Sequence, residues 1–137
     1  MQPQIFVYGT LLDAGVRRAL FGAAGRVTPA RLHGWRRVKV KGGDYPALAP
    51  SLNASVKGML FRPSGATSLR RLDLYEDDEY ERRSVLVSVS GQLRRAEVYL
   101  TVQGVALDRR DWGLGWGRRK SRALSLCRQI RRSAPDG

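Results

Sequence analysis

The stretch Phe6-Val7-Tyr8-Gly9-Thr10-Leu11 constrains this chain more than any other. An apolar run from Ile5 to Tyr8 stops abruptly at a glycine and a threonine, and a helical pattern begins near Asp13. That order predicts a strand over 4–8, a tight turn, and a helix over 13–21 with Asp13 as N-cap and Gly22 as stop. A glycine after a strand supplies unusual backbone angles at little steric cost. Such a turn leaves several backbone N–H groups without partners and facing one way, so a small anionic group could sit there. The same residues also suit an ordinary strand-to-helix connection. They are not a phosphate loop, because neither the GxGxxG nor the Walker glycine spacing is present.

The rest of the chain alternates short strands with two more helices. Residues 30–41 read as one or two strands with Trp35 on a face, and Lys41-Gly42-Gly43-Asp44 as a turn. Residues 45–50 carry two prolines and suit an edge or a loop. Residues 55–61 form a strand whose Gly58 marks a bulge or a close backbone approach. Leu69, Leu72 and Tyr75 recur at spacing three and put one apolar stripe on a helix over 66–76. Residues 84–89 and 95–102 form a hairpin around Gly91. Residues 103–117 read as irregular. Residues 118–132 form a basic helix with Ala123, Cys127 and Ile130 on one stripe, and residues 133–137 should fray. Strands outnumber helices and the connections are too short for repeated βαβ units, which predicts a compact α+β domain.

At 137 residues one domain is expected, long enough for one sizeable core. Apolar runs reach only about five residues, whereas a membrane-spanning helix needs roughly 20. The start, Met1-Gln2-Pro3-Gln4, has no basic segment and no long apolar one, so no secretory signal is expected. One cysteine, Cys127, cannot form an internal disulfide, and with His33 as the one histidine no Cys/His zinc site can be assembled. A reducing cytoplasm is the expected compartment.

The formal net charge is +13, from 25 basic and 12 acidic residues. Residues 118–137 hold seven basic residues and one acid. Such a balance leaves nucleic-acid or anionic-surface binding open. It is equally the mark of an arginine-rich genome, since 21 of the basic residues are Arg and four are Lys. The basic helix has a plain reading as well: its apolar stripe docks on the domain and its charged face is solvated. Cys127 on that stripe reads as a small apolar residue, not a nucleophile.

The acidic cluster Glu76-Asp77-Asp78-Glu79, with Glu81 just after, stands out in a basic chain. A carboxylate at a helix C-terminus faces the negative end of the dipole, which raises its pKa, and partial burial raises it further. Both shifts move a glutamate toward the working range of a proton shuttle. The cluster also admits a divalent-cation reading, and it admits a solvated turn that offsets Arg70, Arg71, Arg82 and Arg83.

Taken in order, the pieces resemble the γ-glutamylcyclotransferase-like superfamily. Within it they are most similar to the branch of avirulence-induced-gene-type proteins and γ-glutamylamine cyclotransferase. The matching residues are Phe6 to Leu11, Tyr45-Pro46-Ala47-Leu48, Val56-Lys57-Gly58-Met59-Leu60-Phe61, Leu72-Asp73-Leu74-Tyr75-Glu76, Tyr80-Glu81-Arg82, the strand from Arg95 to Tyr99, and Asp111-Trp112. The resemblance covers roughly residues 4–112. It implies a small mixed β-barrel with flanking helices over 1–117, followed by a basic C-terminal helix and tail over 118–137.

The activity it implies is acyl transfer of the lyase type, without metal or organic cofactor. The α-amine of a γ-glutamyl group attacks its own side-chain carbonyl, giving 5-oxoproline and a released amine. Glu76 would be the general acid/base, and Tyr8, Gly9, Thr10 and Leu11 would hold the substrate, chiefly through backbone. Tyr45, Tyr80 and Arg82 are secondary candidates for the pocket wall; Arg82 has the alternative of pairing with an acid of the cluster. One departure is local: Asp77-Asp78 stands where small residues, often a glycine, commonly follow the glutamate. The alternative function is a non-catalytic protein of the same fold that recognises an anionic partner through its arginine-rich surface. A related lyase acting on a γ-glutamylated intermediate is a third reading. The oligomeric state and the leaving group stay open.

Overall fold

The computed structural model describes residues 2–112 and 116–133. β1 (Ile5–Val7) runs into one turn of 3-10 helix (Thr10–Leu12) and then α1 (Ala14–Phe21). The long strands β2 (Val27–Val40) and β3 (Pro46–Phe61) follow, then α2 (Ala66–Glu76), the hairpin of β4 (Tyr80–Val89) and β5 (Gln92–Thr101), the short β6 (Leu107–Asp111), and α3 (Trp116–Ser133). Five strands close on themselves: β3 pairs with β1, β1 with β5, β5 with β4, β4 with β2, and β2 returns to β3. β1 and β5 run parallel, with Phe6 opposite Val98, while the other barrel pairs are antiparallel. The fold is therefore α+β, a small mixed barrel with flanking helices.

β1 is apolar on every residue because it serves two cores at once. Phe6 and Tyr8 pack inside the barrel with Leu32, Leu60, Val87 and Val98. Ile5 and Val7 face the other way and pack beneath the helices, with Val16, Leu20, Leu72, Cys127 and Ile130. All four residues of the Ile5 to Tyr8 run are at most 5% exposed. Burial of a side chain of this size is worth roughly 1.5–3 kcal/mol each, so this short strand anchors the ends of the molecule to one another. Asp13 caps α1 by accepting the Val16 N–H at 3.1 Å, and Gly22 ends it with φ +88°.

One expectation resolves and another changes. Of the edge-or-loop alternatives at 45–50 the structure takes the edge: residues 46–50 open β3, paired there with β2, and the strand runs on through the segment expected at 55–61. The prolines occupy the two places where a ladder asks least for an N–H. Pro46 is the first residue of the strand, and Pro50 lies opposite Trp35, where the β2–β3 register slips between His33 and Trp35. Gly34 supports that slip with φ +86°. The segment read as irregular contains β6, which pairs with Val38, Lys39 and Val40 of β2. Leu107-Asp108-Arg109-Arg110-Asp111 shows no alternation, so no pattern announced a strand. Gly113 and Gly115 of that segment, and the tail at 134–137, lie outside the described residues.

Gly58 is needed for space. A Cβ there would strike the Val7 carbonyl oxygen and the Phe6 ring across the β1–β3 pair. α3 buries Ala123, Cys127 and Ile130 against α1, α2 and β1. Burial lifts the Cys127 thiol to about 11, which suits a packed residue. Among the described residues no helix is long and apolar enough to cross a membrane.

Candidate active site

The end of β1 opens into a cavity of about 410 Å³, a size that suits a small organic ligand. The 8–11 turn forms one wall. The C-terminal end of α2 supplies Tyr75 and Glu76, the starts of β3 and β4 supply Pro46 and Tyr80, and the end of β5 supplies Tyr99. α3 closes the remaining side with Arg119 and Arg122.

Gly9 is held at φ −122° and ψ −136°, and its neighbour makes a demand of its own for glycine. A Cβ would sit 2.8 Å from the Pro46 Cγ. Within the turn, the Leu12 N–H donates to the Gly9 carbonyl at 3.0 Å and the Asp13 N–H to the Thr10 carbonyl at 3.1 Å. The N–H groups of Gly9, Thr10 and Leu11 have no acceptor among the described residues. Buried Arg17 steadies the turn from behind, donating to the Leu11 carbonyl at 2.8 Å and the Leu12 carbonyl at 3.0 Å. Thr10 is also tied by its side chain, whose hydroxyl shares a hydrogen bond with the Tyr75 hydroxyl.

Glu76 is the last residue of α2, and no basic side chain lies in that helix's last turn. It is half-buried, with the cavity on one side of it. Burial, and then the nearby Asp73 charge, lift its carboxyl to about 8. No hydrogen bond from the described residues holds the ionised form down. Asp77, which follows, adopts φ +66° and ψ −178°. Asp77 thus holds a backbone that favours glycine, with its carboxylate accepting the Asp78 N–H at 2.8 Å.

Four tyrosines surround this glutamate, and each commits its hydroxyl to the protein. Tyr8 donates to the Tyr99 carbonyl at 2.7 Å, Tyr80 to the Pro46 carbonyl at 2.7 Å, and Tyr99 to the Asp73 carboxylate at 2.6 Å. Tyr75 engages Thr10. Burial, the first cause in each case, pushes all four phenols above their ordinary range. They stay protonated and shape the cavity, and Glu76 is left as the group poised near neutrality.

Of the residues singled out from sequence, Tyr8, Gly9, Thr10, Leu11, Tyr45, Glu76 and Tyr80 all line this cavity. Arg82 does not. Its guanidinium is drawn to Asp73 at 3.0 Å and Glu97 at 2.8 Å, so the pocket-wall role is withdrawn; it does pair with acids, but with two that lie outside the 76–81 cluster. Among the described residues no group of three or more potential ligands could hold a metal ion.

Sequence reasoning missed the wall built by α3. Arg119 grips the Asp44 carboxylate with Nε at 2.8 Å and Nη2 at 2.7 Å, and Arg122 adds a bond at 2.7 Å. The Arg119 guanidinium lies 4.0 Å from the Trp112 ring centroid, and the Trp112 indole N–H donates to the Asp44 carbonyl at 3.3 Å. Arg119, followed by Arg122, holds the Asp44 carboxyl down at about 2. The one available signal was the spacing of three between Arg119 and Arg122, which places them on one helix face.

Comparison with known proteins bears on the family and the fold. The sequence profile described as "Gamma-glutamyl cyclotransferase, AIG2-like" matches residues 5–114. The chain is 34% identical to Protein AIG2 C of Arabidopsis thaliana over 83 residues, 61% of this chain and 50% of that protein. It is 30% identical to Protein AIG2 A of the same plant over 94 residues, 69% of this chain and 55% of that protein. The matched segment thus spans about half the length of these relatives. The solution structure of an Arabidopsis thaliana protein superposes with a TM-score of 0.68 at 27% identity, covering 97% of this chain and 82% of that one. A structure described as "Gamma-glutamyl cyclotransferase" shares the fold, with a TM-score of 0.67 at 17% identity over 79% of this chain and 69% of its own. With the profile running from β1 to the end of the barrel, the chain belongs to the γ-glutamyl cyclotransferase, AIG2-like family.

Proposed function

We propose that this protein is a γ-glutamyl cyclotransferase, converting a small γ-glutamyl substrate into 5-oxoproline and a free amine with Glu76 as general acid/base. The observation that carries the reading is a half-buried glutamate, lifted to about 8, in a cavity walled by the 8–11 turn. The reaction needs a group that both takes and returns protons. The attacking α-amine is mostly ammonium at neutral pH, since α-amino groups titrate at about 7.7 or higher. A carboxyl lifted to about 8 lies closer to that amine than an ordinary glutamate does, so moving the proton between them costs less.

The amine then attacks the side-chain carbonyl, and a carbon–nitrogen bond closes the five-membered ring. The Gly9, Thr10 and Leu11 N–H groups are suited to the oxyanion that develops. As the original amide carbon–nitrogen bond breaks, Glu76 protonates the departing nitrogen. Two protons leave the glutamyl nitrogen and two reach the leaving amine, so the step is balanced and one carboxylate can serve both atoms. Because ring closure is intramolecular, holding the chain folded supplies much of the acceleration, with effective molarities of about 10⁵ M attainable.

The test is release of 5-oxoproline from a panel of γ-glutamyl amino acids and amines. Turnover should follow a bell on the alkaline side of neutrality, because the reactive complex holds one proton between Glu76, lifted to about 8, and the more basic amine. Failure to turn over any member of the panel, or full activity in Glu76→Gln, overturns the reading.

A further inference from the structure

The cavity runs from a buried floor to an open rim. Tyr8 and Tyr99, at 5% and 4% exposed, lie at the floor, whereas Tyr45 at 61% and Leu126 at 37% mark the rim. Arg122 belongs to the rim, its side chain 58% exposed. Charge is divided across the opening. Glu76, Asp77 and Glu79 line it from the α2–β4 side, and Arg119 and Arg122 from α3.

The α3 side carries more positive charge than it neutralises. Arg119 spends two donors on both oxygens of Asp44 and is stacked on Trp112, with 13% of its side chain exposed. Those two bonds and the stack fix this guanidinium in place, while its Nη1 is buried with no hydrogen-bond partner among the described residues. Arg122 touches the same carboxylate through Nη2 alone. One aspartate therefore answers two arginines, and Arg122 keeps further N–H donors in solvent at the rim.

The consequence rests on the cyclotransferase reading. If the γ-glutamyl group lies at the floor beside Glu76, the substituent on the leaving nitrogen extends toward the rim. A carboxylate on that substituent arrives at Arg122. We propose that Arg122, held in place by the Asp44–Arg119 clamp, selects γ-glutamyl substrates whose leaving amine bears a carboxylate, that is γ-glutamyl amino acids over γ-glutamyl derivatives of plain amines. α3 begins at Trp116, beyond the last residue of the family match at 114, so Arg122 lies outside the segment that the family profile describes.

The experiment compares γ-glutamyl-alanine with γ-glutamyl-ethylamine, which differ only by the carboxylate, in wild-type protein and in Arg122→Gln. Glutamine keeps helix propensity at this exposed site. Wild-type protein should favour γ-glutamyl-alanine by about tenfold or more in kcat/KM, as a charge-assisted hydrogen bond allows, and chiefly through KM. In Arg122→Gln the ratio between the two substrates should fall toward one, and Arg122→Lys should restore part of it. Equal loss on both substrates would place Arg122 on the glutamyl unit or in the fold and overturn the proposal. Equal turnover of both by wild-type protein overturns it too, while leaving the cyclotransferase reading intact. Turnover of neither removes that reading and this inference with it.

Discussion

Two carboxylates line the same cavity and are pushed in opposite directions. Glu76 rises to about 8 and Asp44 falls to about 2. The difference is one of company more than of residue type. Glu76 is half-buried, with phenols that donate elsewhere and a second carboxylate, Asp73, nearby. Asp44 is one-third exposed and receives three hydrogen bonds from two guanidiniums. Burial without a cation makes a proton carrier; a paired cation makes a fixed charge. The pH dependence of stability follows with opposite signs. Glu76 ionises in the unfolded chain before it does in the native one, so its contribution to stability falls as pH rises from about 4.5 to about 8. The Asp44 contribution is present above the ordinary carboxylate range and is lost as pH falls toward 2.

The sharpest way to break this contrast is Glu76→Gln. It should cost about 10²-fold or more in 5-oxoproline release. Thermal melts at pH 6 and pH 9 should show that the wild-type loss of stability between those values shrinks in the variant. A wild-type protein that melts alike at both would sink the claim of a raised carboxyl.

Gly9→Ala probes the contact that joins the two sides, because its Cβ would meet Pro46, two residues from Asp44. We expect about 1–3 kcal/mol of destabilisation by denaturant titration, with activity lowered as the turn moves. Asp44→Asn attacks the other carboxylate. It leaves Arg119 and Arg122 together without their anion and should cost about 2 kcal/mol; an acid melting profile no different from wild type would show that the clamp contributes nothing.

Thr10→Val removes one partner of the Tyr75 hydroxyl and should cost about 1 kcal/mol. Activity should fall less than in Gly9→Ala. Smallest, and opposite in sign, is Asp77→Gly. The backbone there is one that glycine adopts freely, so the variant should gain about 1 kcal/mol in chemical denaturation. A loss would mean that the Asp77 carboxylate stabilises the end of α2 by more than its backbone costs.

The Glu76 side of this comparison was legible in the sequence, and the Asp44 side was not. β1, the turn after it and the stripe of α2 are local patterns that put an acidic cluster at a helix end, and the family resemblance singled out Glu76 within it. Arg119 and Asp44 are 75 positions apart, and neither residue type nor spacing links them. Charge shows the same limit. The total of +13 left an anionic partner open and does not show that Arg17 is 5% exposed and serves backbone carbonyls, that Arg71 is 1% exposed, or that Arg82 is bound by two carboxylates. A sum over residues does not say which of them reach solvent.

The chain by itself determined the elements whose periodicity is written into neighbouring residues, the glycine at 9, and a glutamate at a helix end. Such features depend on hydrogen bonds and packing within one or two turns. Tertiary structure alone decided that the prolines at 46 and 50 begin and bend a strand, that β6 exists, and that α3 brings two arginines to the rim. Each of those depends on a partner distant in sequence: Trp35 across the bulge, β2 beside β6, Asp44 beneath α3. Closing a barrel joins residues by geometry, and that geometry turns a generic acid and a generic basic helix into opposite walls of one cavity.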